Sequence, residues 1–168
     1  MVEKIGLFTK PSLIVDDEER FLKTLTQRLS LRDFDVTPVN NGKAAIEAAQ
    51  ESVFDLALID LKMPGISGEQ LLDILKKNNP YLEVVVLTGH GSIDSAIFCT
   101  QHGSFGYLQK PCDTEELLRV LKDAYQRRVQ RKLELSEDKI GQLLNAAKGE
   151  SALGILRRLR EMEEKNGA

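Results

Sequence analysis

Between residues 13 and 109 the chain carries five short apolar runs, and a helix-like pattern follows each one. The runs are LIV (13–15), DVTPV (35–39), LALI (56–59), VVVL (84–87) and YLQ (107–109). Several are apolar at every position. A pleated strand points alternate side chains to opposite faces, so such a run needs cover on both sides. Parallel sheets sandwiched between helices provide that cover. The intervening segments repeat at helical spacing, as at Phe21, Leu22, Leu25 and Leu29, or Leu71, Leu72 and Leu75. Residues 42–51 and 92–103 are further helix candidates. From Thr114 the pattern continues through Leu117, Leu118, Leu121 and Tyr125. Ser67 and Asp113 stand where N-caps belong. Strand–helix alternation repeated five times predicts one α/β domain, doubly wound around a five-stranded parallel sheet.

These patterns set expected boundaries. Residues 11–127 form the domain, and residues 1–10 are an N-terminal extension. Residues 128–168 are a helical extension, read as a linker helix plus two short amphipathic helices. Val129 and Leu133 prolong the last domain helix. Ser136, followed by Glu137 and Asp138, reads as a fresh helix start. Ile140, Leu143, Leu144 and Ala147 make one apolar face, and Gly149 breaks it. Ala152, Ile155, Leu156, Leu159 and Met162 make a second. Short helices of this kind do not persist alone in water, so their faces need a partner surface. The stretch LLNAAKGESALGILRRL has the small residues, glycine and arginines of a helix-turn-helix, but its spacing fits that motif poorly.

Charge separates the two parts. The whole chain of 168 residues carries a net charge of -3. Residues 127–168 sum to +3 and the remainder to -6. The acidic balance argues against nucleic acid as the main partner of this chain. Two cysteines, Cys99 and Cys112, are too few for a disulfide framework and read as reduced thiols. No apolar run approaches the roughly 20 residues that span a bilayer, and the first ten residues lack the apolar core of a secretion signal. The expectation is a cytoplasmic protein with no membrane segment.

The residues that close each apolar run are polar. LIV ends in Asp16 and Asp17, LALI in Asp60, VVVL in Thr88, and YLQ in Lys110 followed by Pro111. In open α/β sheets ligands bind beyond the carboxyl ends of the strands. Four strands therefore deliver three carboxylates, a hydroxyl and an ammonium to one edge. Two like charges about 4 Å apart repel by roughly 4 kcal/mol at an effective dielectric of 20. A hard divalent cation relieves that repulsion, and Mg²⁺ favours a few carboxylates, waters and a phosphate. A carboxylate also serves as a nucleophile toward phosphorus. Phosphoryl transfer then asks for in-line positioning and neutralised equatorial oxygens.

The stretches LIVDD, DLALIDLKMPGISG, VVVLTGHGS and GSFGYLQKP resemble the receiver domain of bacterial two-component response regulators. The resemblance covers about residues 11–127, and no residue of that family's reaction core is missing. It implies a flavodoxin-like sheet of strand order 2-1-3-4-5. It also implies that Asp60 is the phosphoacceptor and that Mg²⁺ is the cofactor. Asp17 would be a direct metal ligand and Asp16 would act mostly through water. Asp60 and the backbone carbonyl of Lys62 would complete the protein's share. Thr88 would hydrogen-bond a phosphoryl oxygen, helped by the Gly89 amide, and Lys110 would pair with the phosphoryl group. Lys110–Pro111 is expected to be cis, and Tyr107 matches the aromatic switch residue. Lys62 and His90 hold positions that tune dephosphorylation in that family.

The partners this implies are a histidine kinase or phosphotransfer protein and a downstream protein target. The downstream face would lie near Ile93, Tyr107 and residues 114–127. A homodimer stays open at this stage. So do a non-switching scaffold or dimerisation module, a DNA-binding regulator whose output domain is absent from this chain, and a phosphohydrolase with Asp60 as nucleophile. Activity is expected to be self-catalysed phosphotransfer and dephosphorylation rather than metabolic turnover.

Overall fold

The computed structural model describes residues 9–146 and 152–166. Five strands form one parallel sheet: β1 (Lys10–Val15), β2 (Phe34–Val39), β3 (Leu56–Ile59), β4 (Glu83–Thr88) and β5 (Gly106–Gln109). Their order is β2-β1-β3-β4-β5, as the resemblance implied. The helices are α1 (Glu19–Ser30), α2 (Gly42–Glu51), α3 (Gly68–Asn78), α4 (Ile93–Gln101), α5 (Thr114–Ala146) and α6 (Ala152–Asn166). The chain divides into two compact units, Met1–Arg128 and Val129–Ala168.

The all-apolar strands have the predicted cause. Alternate residues face two separate cores. Leu13, Val15, Ala57, Ile59, Val84 and Val86 pack with Ala45 of α2, with Leu71, Leu72 and Leu75 of α3, and with Cys99 of α4. Ile14, Leu56, Leu58, Val85 and Leu87 pack with Leu22, Leu25 and Leu29 of α1 and with Leu117, Leu118 and Leu121 of α5. A one-residue slip of any central strand would exchange its two faces. Pro38, which cannot donate to a ladder, sits in β2 at the sheet edge, where that deficit is tolerated.

Local signals place the turns. Ser67 accepts the Gln70 amide while Gln70 returns a side-chain acceptor to the Ser67 amide, a complete capping box for α3. Asn41 accepts the Ala44 amide and caps α2. Asp113 Oδ1 accepts the Glu115 amide at 3.4 Å at the start of α5.

The expected linker helix and first amphipathic helix are one element. α5 runs unbroken for 33 residues, through the helix start expected at Ser136. The Ser136 hydroxyl donates to the Lys132 carbonyl at 3.0 Å, so it is satisfied inside the helix and caps nothing. No glycine or proline interrupts 114–140, and Leu, Glu, Lys and Arg are good helix formers. The break expected at Gly149 and residues 1–8 of the expected N-terminal extension lie outside the described residues. β1 begins at Lys10, one residue before the expected domain start. Among the described residues no helix is long and apolar enough to cross a membrane.

Candidate functional site

Sheet register aligns the strand ends. Val15 pairs with Ile59, Ile59 with Val86, and Thr88 with Gln109. The next residues stay in step: the Asp60 amide donates to the Val15 carbonyl at 3.0 Å, and the Lys110 amide to the Thr88 carbonyl at 2.8 Å. Asp16, Asp60, Thr88 and Lys110 therefore meet at the carboxyl edge of β1, β3, β4 and β5. Asp16, Asp60 and Thr88 are buried, whereas Asp17 is exposed.

Three carboxylates converge there. Asp16, Asp17 and Asp60 each offer an oxygen, and these oxygens lie within 4.8 Å of one another. Lys110 partly neutralises them. Its Nζ stands 2.6 Å from Asp16 Oδ2, 3.6 Å from Glu18 Oε1 and 3.9 Å from Asp60 Oδ2. Burial alone would lower the Lys110 pKa, but the hydrogen bond it donates to Asp16 and the charges of Asp16, Asp60 and Glu18 raise it. Lys110 is thus held as an ammonium. Burial raises the Asp16 carboxyl above its ordinary value, although Lys110 and the Glu18 amide pull the other way. The Glu18 amide donates to Asp16 Oδ1 at 2.9 Å.

Asp60 is held differently. Its Oδ1 is buried and has no hydrogen-bond partner among the described residues. A buried carboxylate oxygen without a donor is costly, and the cost falls if a cation or a transferred group occupies its free side. An oxygen-only donor set on three carboxylates suits a hard divalent ion. The residues present therefore fit Mg²⁺. Beside them a cleft of about 490 Å³ is lined by Asp17, Glu18, Asp60, Lys62, Pro64 and His90 among others.

The remaining expected residues lie nearby. The Thr88 hydroxyl accepts the His90 amide at 3.1 Å. Tyr107 is half-buried, and its hydroxyl shares a 2.6 Å hydrogen bond with Ser95 Oγ in α4. The Lys110–Pro111 peptide is cis.

Three neighbours were missed by the sequence reading. Glu18 extends the acidic run of 16–18, which was a readable signal. Phe21 was read only as part of a helical apolar repeat, yet its ring centroid lies 4.0 Å from Lys110 Nζ, a cation–π contact that steadies the ammonium. Gly68 is the first residue of α3. A Cβ there would come within 2.5 Å of Leu61 Cα and would collide with the Asp60 carbonyl oxygen. Gly68 also donates its amide to the Leu61 carbonyl at 2.8 Å, which seats α3 against the end of β3.

A family model described as the response regulator receiver domain matches residues 12–122. The chain belongs to that family. Among curated relatives, the transcriptional regulatory protein GlrR of Escherichia coli is 36% identical over 112 residues, covering 67% of this chain and 25% of GlrR. The DNA-binding transcriptional regulator NtrC of the same organism is 33% identical over 111 residues, covering 66% of this chain and 24% of NtrC. The chain thus spans about a quarter of the length of these relatives. Among solved structures, a CheY-like receiver domain protein from Methanospirillum hungatei superposes with a TM-score of 0.71 at 27% identity, covering 73% of this chain and 98% of that one. The beryllofluoride-activated NtrC4 receiver domain dimer gives 0.68 at 31% identity, covering 71% and 99%.

Proposed function

We propose that this receiver domain takes a phosphoryl group onto Asp60 from a phosphohistidine of a histidine kinase or phosphotransfer protein. A carboxylate oxygen of Asp60 attacks phosphorus. The O–P bond forms, the P–N bond breaks, and the electron pair returns to the imidazole nitrogen, which takes up a proton. The product is an acyl phosphate. The buried, unpartnered Asp60 Oδ1 carries this reading, because it leaves a carboxylate oxygen without a hydrogen bond on a residue that lines a polar cleft.

The side chains of Asp16, Asp17 and Asp60 and the Lys62 backbone carbonyl would hold Mg²⁺. When bound, the ion neutralises charge on the phosphoryl oxygens. Lys110, 3.9 Å from Asp60 Oδ2, contributes a fixed positive charge of its own. Thr88 exchanges its His90 amide partner for a phosphoryl oxygen, with the Gly89 amide as a second donor. That exchange frees the segment between β4 and α4. Tyr107 is tied to α4 through Ser95, so the change reaches the face made by α4, β5 and the first half of α5. Exposed Ile93 and Ile97 on α4 supply the apolar part of that face. A downstream protein, or a second copy, reads it.

Beryllofluoride with Mg²⁺ tests the reading. Amide shifts in an NMR spectrum should change at 88–91, in α4 and at Tyr107, and Asp60→Asn should abolish every change. An unresponsive wild type, or a variant that responds equally, overturns it.

A further inference from the structure

Four groups lie close to the Lys110 ammonium, and one of them carries no charge. Asp16 Oδ2 is 2.6 Å from Nζ, Glu18 Oε1 3.6 Å and Asp60 Oδ2 3.9 Å. The fourth is the Phe21 ring, with its centroid 4.0 Å away. Only 13% of the Lys110 side chain is exposed, so the contact is largely withdrawn from water. Cation–π attraction is strongest in that setting. Phe21 is the third residue of α1, which starts directly after the acidic run. It packs against the core that includes Leu25, Leu87 and Leu117. With Asp16, Asp60 and Leu87 it also borders a gap too small to admit water. Phe21 and Lys110 together line a groove of about 410 Å³.

The ring does what a further carboxylate could not. A carboxylate takes up an N–H of the ammonium, as Asp16 does at 2.6 Å. The ring face attracts the charge without claiming one particular N–H, so the other donors stay free for an incoming oxygen. A carboxylate also repels a phosphoryl group, whereas a neutral ring does not.

We propose that Phe21 is a positioning residue for phosphoryl transfer, its ring keeping the Lys110 ammonium within reach of the group carried by Asp60. The proposal rests on Asp60 as the phosphoacceptor.

Phosphoryl uptake from acetyl phosphate with Mg²⁺ tests it, because so small a donor needs no docking surface. Phe21→Leu keeps an apolar side chain and should slow uptake by about threefold to tenfold. Phe21→Tyr retains the ring face and should react like the wild type. Fluorine on the Phe21 ring withdraws electron density from its face at nearly constant shape. Uptake by the mono-, di- and trifluorinated chains should fall in step with fluorine number, which a packing role would not produce. Without donor or metal, ring current should hold the Lys110 Hε resonances upfield in the wild type, and Phe21→Leu should release them. Equal rates across the fluorinated series overturn the proposal, even where Phe21→Leu is slow. So does slowing seen only with a phosphohistidine protein as donor, which would put Phe21 in a docking surface instead. A wild type that takes up no phosphoryl group overturns the Asp60 reading and this proposal with it.

Discussion

A Cβ at Gly68 has no room, because the Asp60 carbonyl and Leu61 Cα already fill the space. Those atoms are backbone at the end of a buried strand, so they cannot swing aside as a flexible side chain would. Gly68→Ala should therefore lower stability by about 1–3 kcal/mol. A lower urea midpoint at unchanged slope would check it. The same variant should slow phosphoryl uptake, since it displaces the residue proposed to react. Cys99 gives a second residue-level outcome. Burial pushes its thiol up to about 11, and the nearby Glu69 adds to the effect. The thiolate is the reactive form. At pH 8 an aromatic disulfide reagent should leave Cys99 untouched in the folded chain, and urea should expose it. Cys112, less buried though also raised, should react first. Prompt reaction of both thiols in the native state would contradict this assignment. Asp16, Asp17, Asp60, Thr88 and Lys110 were legible as one edge because each stands just past the end of an apolar run. Gly68 and Phe21 were not, because their partners are fixed only by packing in three dimensions.

At the scale of elements, α4 depends on two serines. Ser92 accepts the Ser95 amide at 3.1 Å, and Ser95 Oγ accepts the Ser92 amide at 3.2 Å. Ser95 also carries the link to Tyr107. Replacing Ser95 with alanine should cost about 1 kcal/mol through the lost cap. Urea unfolding would measure that loss. The Tyr107 ring resonances should shift in the same variant, because its hydroxyl loses its 2.6 Å partner. This box escapes sequence inspection because the usual pattern places Glu or Gln three residues after the cap. The Ser67–Gln70 box of α3 obeys that pattern, and Ser67 was read as a cap. Ser136 misled in the opposite direction. A serine followed by two acids resembles a helix start, yet a serine within strong helix formers can back-bond and leave the helix whole. Strand and helix types elsewhere followed from period alone, since buried parallel strands and amphipathic helices differ so plainly in pattern.

At the scale of the whole molecule, the far edge of the sheet is tied to α5. Arg128 Nε bonds Asp55 Oδ1 at 3.1 Å, and both side chains are largely buried. Arg127 Nε lies 3.5 Å from Glu83 Oε1, a carboxylate buried at the start of β4. No sequence pattern joins partners so far apart, and the charges at 127–128 read only as part of a basic tail. A double-mutant cycle on Arg128→Ala and Asp55→Ala should give a coupling of about 1–3 kcal/mol. Additive losses would show that the pair contributes no mutual stabilisation. Strand order was legible because the motifs at the strand ends matched one family, and a parallel register then brings those ends together. The central claim is that Asp60 is the nucleophile at that shared edge. The direct test is incubation of the purified chain with acetyl phosphate and Mg²⁺, followed by intact mass measurement and treatment with neutral hydroxylamine. The wild type should gain one phosphoryl group per chain, hydroxylamine should release it as expected of an acyl phosphate, and Asp60→Asn should gain none. Equal incorporation in Asp60→Asn, or a wild type that gains none, would contradict the account.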